Sequence, residues 1–296
     1  MHSFGSLILG LLLILLSSAI QAEDILRVNA MNYPGWVIRN HQTLALTPGY
    51  QLRNNDLIRT GKKGRVLLQL ADGSAVKLGE SARFLVESAS INSSQNDSIL
   101  TSTLQVLRGA FRFTSSFFNQ SAIKHELSIT VGAITIGIRG TDIWGRSGNE
   151  NDLVALIEGN VTVNAEGEPE VNLDEALNYV VKPRGEVISP VEQIDPHQIN
   201  SWAAETELST TQGIATANGE WSIVLASLNT LNGANRRLRN LHQQGFAVKR
   251  KSVIRNGRTL HRLLLPGFKS IEDAVNARSM AADLLGIDDA WVWRQS

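Results

Sequence analysis

The chain has no cysteine. That excludes a disulfide framework, a thiolate metal site and a lipid-modified cysteine behind an export signal. Histidine offers little more: the six (His2, His41, His125, His197, His242, His261) are scattered, with no pair at metal-ligand spacing on a helix and no HExxH. There is no GxSxG, no paired carboxylates in a recognisable catalytic loop and no Ser/His/Asp order that rises above chance. The sequence therefore predicts no catalytic residue, no metal and no cofactor. Net charge is missing too, at 28 basic against 28 acidic residues, but the balance conceals an asymmetry. From Gly219 to the end lie twelve of the 28 basic residues and only six of the 28 acidic ones, so a basic tail follows an acidic body.

An apolar run from Leu7 to Leu16 is shorter than the ~20 residues that a membrane-spanning helix prefers. Small residues and then Glu23 and Asp24 follow it, the pattern of a secretory signal peptide over residues 1–22. Cleavage after Ala22 leaves an acidic start; cleavage after Ala19 places Ser17 and Ala19 at the small-residue positions. An uncleaved anchor is the competing reading. Export without cysteine fits a bacterial envelope protein.

From Asp24 to Asn164 the apolar pattern has period two. VLLQL (Val66 to Leu70) alternates up to the turn Asp72-Gly73-Ser74, and ELSITV (Glu126 to Val131) and ITIGI (Ile134 to Ile138) alternate on either side of Gly132-Ala133. These are half-buried strands of an all-β body. VLRGAFRF (Val106 to Phe113) and LIEGNVTV (Leu156 to Val163) share one pattern, a glycine after a charged residue between two apolar stretches, which predicts strand, kink, strand. INSSQNDS (Ile91 to Ser98) reads as an exposed loop. Asn178 to Lys182 predicts a closing strand, Asp195-Pro196 starts a short helix, and STTQGIATANG (Ser209 to Gly219) reads as a polar linker.

The last 77 residues, 220–296, mix both periods. WSIVLASL, FAVKRKSVI, RTLHRLLL and AWVWR predict strands, the middle two joined at Asn256-Gly257. A helix over Asn232 to Gln244 carries Ala234, Leu238 and Leu241 on one face. A second, from its cap at Ser270 to Leu285, is expected to turn Ile271, Ala274, Val275, Ala281 and Leu285 inward. The order βαββαβ predicts an α+β domain, a four-stranded antiparallel sheet with two helices on one face.

TIGIRGTDIWG, from Thr135 to Gly145, has the residue types of an anion-binding loop. A phosphate loop needs its glycines immediately before a helix, however, and here strands lie on both sides. The segment reads as a tight corner, with Arg139 and Asp142 as a candidate internal ion pair.

The succession PGWVIR (Pro34 to Arg39), Leu46 to Gly79, LRGAFRF, GIRGTDIW and VALIEGNVTV resembles a FecR domain. The resemblance implies an extracytoplasmic β-rich module and makes ligand sensing or signalling the alternative function. The best known relatives of this kind signal through an amino-terminal cytoplasmic segment, whereas about six residues precede the apolar run here. Another envelope protein is the candidate partner of this module.

The tail resembles a SPOR domain in WSIVLASL, Ala234, Leu238, Gly245-Phe246, HRLLLPGF (His261 to Phe268) and Ala274. That family binds peptidoglycan glycan strands that have lost their stem peptides, on the helix-free face of the sheet, and gathers at division sites. The resemblance thus implies a non-catalytic periplasmic protein. Family positions carry over to Ser227, Arg262 and Trp291; Val224, Ala226 and Leu260 depart from the family's usual glutamine, glycine and aromatic residue, and Pro266-Gly267 inverts its Gly-Pro. Sugar rings need apolar platforms edged by fixed donors. Trp291 and Trp293, two apart on a strand, share a face, as do Leu260, Arg262 and Leu264. RNA is excluded as a partner because the aromatic signature of an RNA-recognition module is missing and the export signal removes the chain from RNA. The reading is accordingly a signal peptide over 1–22, an all-β FecR-like module over 24–165, a closing strand, short helix and linker over 166–219 and a SPOR domain over 220–296.

Overall fold

The computed structural model describes residues 25–93, 98–115, 123–138 and 140–294. The signal-peptide expectation, the tip of the 91–98 segment and Arg139 lie outside them. No helix of the described residues is long and apolar enough to cross a membrane.

The body begins with β1 (Leu26–Asn32), β2 (Gly35–Arg39), β3 (Gln42–Ala45), β4 (Asp56–Thr60), β5 (Arg65–Leu70) and β6 (Ala75–Leu78). Two long strands follow, β7 (Arg83–Ser93) and β8 (Ser98–Thr114), so strand backbone extends into the segment expected to be a loop. Then come β9 (Ile123–Val131), β10 (Ile134–Ile138), β11 (Asp142–Ser147), β12 (Asn151–Glu158) and β13 (Val161–Ala165). The body closes with β14 (Val171–Leu173), β15 (Asn178–Pro183), β16 (Glu192–Gln193) and helix α1 (Pro196–Thr206).

These strands form two facing sheets. One has the order β1-β5-β6-β8-β11-β12-β15-β16. The other runs β3-β2-β4-β7-β8-β9-β10-β13-β14, antiparallel except for β8 with β9. Alternate residues point between them, as the period-two pattern requires: Val66, Leu68, Phe111, Phe113 and Leu156 from the first sheet meet Ile58, Phe84, Leu104, Ile129 and Val163 from the second in one buried cluster. Each such side chain contributes roughly 1.5–3 kcal/mol by leaving water. On the outer side of the first sheet α1 covers Trp144, whose ring stacks on Trp202 at 4.9 Å. Asp195 caps α1, and Pro196 opens it.

The glycine kinks are where the chain changes sheets. In β8, residues up to Arg108 pair with β7 in the second sheet, and residues from Gly109 onward pair with β11 in the first. Gly159 likewise joins β12 in the first sheet to β13 in the second. Both have positive φ, +88° and +91°, a backbone region that side-chain-bearing residues enter only with strain. The repeated sequence pattern thus marks one repeated device. Gly140 stands at a third crossing, from β10 in the second sheet to β11 in the first, so the glycine-rich segment is a corner. Asp142 there binds both Nε and Nη2 of Arg112, at 2.9 and 2.7 Å. The carboxylate pushes the Arg112 guanidinium pKa above its ordinary value.

The segment expected to be a linker is fixed in place. It forms a short 3-10 turn at Thr210–Gln212 and strand β17 (Ala215–Thr216), which pairs with β1. The C-terminal sheet consists of β18 (Trp221–Leu228), β19 (Lys249–Arg255), β20 (Arg258–Phe268) and β21 (Trp291–Arg294) in the antiparallel order β19-β20-β18-β21. Phe268 of β20 also pairs with Ala215 of β17, so the two halves are joined edge to edge. Helices α2 (Leu231–Gln243) and α3 (Ile271–Leu285) cover the face carrying Ile223, Leu263 and Leu265.

Two tail expectations need correction. β19 starts at Lys249, not Phe246, because Phe246 and Val248 turn into the core. α3 buries Ala274, Ala277, Met280 and Ala281, whereas Ile271 and Val275 face solvent: the packed stripe is made of small side chains that let the helix approach closely. Ser270 caps this helix, its Oγ accepting from the Asp273 amide at 3.0 Å. Ser270→Ala is expected to lower stability by about 1 kcal/mol, read as a shift in urea midpoint with unchanged slope.

Candidate functional site

The sheet face opposite α2 and α3 is built by cross-strand register. The Asn256-Gly257 turn sets Arg255 opposite Arg258, and counting back from it puts Lys251 opposite Arg262. On the other side of β20, Arg262 pairs with Ser227. One row across three strands therefore reads Lys251, Arg262, Ser227. A second row reads Lys249, Leu264, Val224, Trp291, and a third brings Trp293 beside Ser222 and Pro266.

Register shifts in β18 between Val224 and Ala226, an irregularity that keeps Val224 and Ser227 on this one face. Val224 and Leu264 are buried in its floor. Leu260, half-buried opposite Val253, extends the face towards the hairpin turn.

Neither tryptophan is a core residue. Trp291 is 37% exposed and Trp293 is half-buried. The guanidinium carbon of Arg262 lies 5.8 Å from the centroid of the Trp291 ring, and Lys251 Nζ lies 4.5 Å from that of Trp293. Each contact is worth roughly 0.5–1 kcal/mol at an exposed site, enough to hold the rings in place. All five expected residues (Ser227, Leu260, Arg262, Trp291, Trp293) share this face. Lys249 and Lys251 are additions that the strand pattern did not single out; their place follows once the two-residue turn fixes the register.

A second opening lies at the glycine-rich corner of the body. It is a cavity of about 270 Å³ lined by Thr114, Ser115, Gly140, Thr141, Asp142 and Gly159 among others. Of its two carboxylates, Asp142 is already held by Arg112, while Glu158 is exposed. Among the described residues no group of His, Asp and Glu is arranged to hold a metal ion.

Residues 56–162 match the family described as FecR protein, and residues 217–294 match the SPOR domain. No curated protein matches the chain. Two crystal structures of a protein from Parabacteroides distasonis ATCC 8503, described provisionally as an anti-sigma factor, are similar at 10% identity and a TM-score of 0.39. They cover 69% of this chain and 97% and 96% of their own. The chain carries a FecR domain followed by a SPOR domain.

Proposed function

We propose that the chain binds peptidoglycan glycan strands on the helix-free face of its C-terminal sheet and acts by binding, not catalysis. A SPOR domain implies peptidoglycan binding, and both domains are typical of envelope proteins. The observation that carries the finer reading is the pairing of two partly exposed indoles with two cations on one face. Trp291 and Trp293 are platforms for sugar rings, Arg262 and Lys251 supply charged donors at their edges, and Ser227 adds a hydroxyl. Removal of stem peptides by an amidase leaves a carboxylate on the glycan, an acceptor that Arg262, Lys249 and Lys251 complement. In this reading residues 1–22 export the chain to the periplasm, 24–165 form the FecR-like module, 166–219 connect, and 220–296 recruit it to remodelled or dividing wall.

The test is co-sedimentation of the full chain with cell-wall sacculi before and after amidase stripping. Binding is expected to rise on stripping and to fall at least tenfold in Arg262→Ala and in Trp291→Ala, as for central anchors of an interface. Absence of binding to both preparations would overturn the proposal. The FecR domain supports a second reading, extracytoplasmic signalling; a transcriptional response to deletion with no change in wall binding would select it.

A further inference from the structure

The C-terminal sheet has two unlike ends. At one, Phe268 pairs with Ala215 of β17 and the Gly35 amide donates to Gly245 O at 3.0 Å, so this end is fixed to the body. At the other, β18 stops at Leu228, opposite His261, and the β19–β20 hairpin runs on alone to its Asn256-Gly257 turn.

Two large apolar side chains stand in solvent at this free end. Ile254 on the hairpin is 80% exposed and Leu231, the first residue of α2, is 46% exposed. The Arg250 guanidinium donates to Asn235 and so ties the start of α2 to the hairpin. Arg255 and Arg258 flank the turn, both exposed.

The charge around them is one-sided. Between Glu220 and Glu272 the sequence has ten lysines and arginines and no carboxylate. Among the described residues none of the ten is in an ion pair. Scattered exposed apolar residues are ordinary on a protein surface, but one at the end of a projecting hairpin, opposite Thr259 and next to the cross-strand arginines Arg255 and Arg258, both without an ion pair, is a distinct arrangement.

The two features together select the partner. An acidic polymer would satisfy the arginines and leave Ile254 in water; a neutral apolar surface would bury Ile254 and strip the arginines of solvent without pairing them. An anionic bilayer supplies phosphates at the level of the guanidinium groups and acyl carbon beneath. We propose that this pole docks on an anionic phospholipid surface, with Ile254 entering the boundary between headgroups and acyl chains and Arg255 and Arg258 on the phosphates. The tryptophan face lies on the side of the sheet, not at its tip, and remains open to a glycan at the same time.

Co-sedimentation of the full chain with vesicles of phosphatidylcholine alone and of phosphatidylcholine mixed with phosphatidylglycerol tests this. The reading is the difference between the two, which the apolar run at Leu7 to Leu16 affects equally in both. An arginine at an anionic surface contributes roughly fivefold in affinity. Arg255→Ser with Arg258→Ser is therefore expected to reduce partitioning onto the mixed vesicles about 25-fold, and Ile254→Ser to reduce it further. Arg262→Ala with Trp291→Ala should leave it unchanged. Equal binding to both vesicles, or undiminished binding by the Arg255/Arg258 variant, would overturn the proposal. So would a variant that loses sacculus binding where the parent ignores vesicles, since the arginines would then belong to the wall polymer.

Discussion

Replacing Gly109 with valine is expected to remove about 4 kcal/mol of stability and to lower the melting temperature by roughly 10 °C, whereas Gly137→Ala should move it by less than about 2 °C. Both glycines lie in strands of the same body, so composition alone does not separate them. The difference is geometric. At Gly109 the backbone has φ +88° where β8 leaves one sheet for the other, and an added Cβ would stand 2.7 Å from the Ala82 Cα and 2.9 Å from its Cβ. A left-handed conformation costs a β-branched residue roughly 1–3 kcal/mol, and overpacking against a backbone that cannot yield adds a similar amount. At Gly137 no atom lies within 4 Å of an added Cβ and φ is ordinary. Thermal unfolding of the two variants beside the parent reads the contrast directly; equal transitions would mean that β8 crosses between the sheets without needing this conformation.

That contrast also bounds how far the sequence could be read. The period-two stretches and the paired glycine pattern were legible because alternation and a required positive φ are local constraints. VLLQL, ELSITV and ITIGI are strands, and VLRGAFRF and LIEGNVTV do bend at their glycines. What each bend joins depends on which strands pair across the body, and no local pattern carries that. The α3 stripe was misjudged for a related reason. Ile271 and Val275 outrank alanine by hydrophobicity, but Ala274, Ala277 and Ala281 fit where the helix lies close on the sheet.

The candidate face was legible to the extent that strand alternation decides it. Trp291 with Trp293, and Leu260 with Arg262, follow from two-residue spacing; Lys249 and Lys251 needed the register set at Asn256-Gly257. The segment 209–219 was the hardest to read. Its small polar residues look like a free linker, yet its backbone groups are taken by side chains distant in sequence. The Ile214 amide donates to Asp273 Oδ1, and Asn276 Nδ2 donates to Thr210 O. An amide or carboxylate that serves another segment's backbone leaves no periodic trace.

Asn32 is the sharpest case, and its loss is expected to have the largest effect on how the two halves hold together. The side chain is wholly buried at the end of β1. Its Nδ2 donates to Ser209 O at 2.9 Å and Gly213 O at 3.0 Å, while its Oδ1 accepts from the Ser209 amide at 2.8 Å. One residue therefore closes three backbone groups of a segment 177 to 181 positions away. At about 1 kcal/mol for each bond, Asn32→Ala should cost about 3 kcal/mol, more where a carbonyl is left buried without a donor. The loss falls on β17, which holds the C-terminal sheet against β1. The end of α2 is held separately, by Trp36 Nε1 donating to Gln243 O at 3.0 Å and by Tyr33 stacked on Phe246, and burial there pushes the Tyr33 phenol above its ordinary pKa. The variant is thus expected to remain folded in each half but to expose residues 209–219. Limited proteolysis should cleave the variant in this segment under conditions that leave the parent whole, and hydrogen exchange should rise at Ser209, Gly213 and Thr216 with little change in β18. Protection equal to the parent's would show that the contacts at Trp36 and Tyr33 suffice, and that the rigid connection between body and tail does not depend on Asn32.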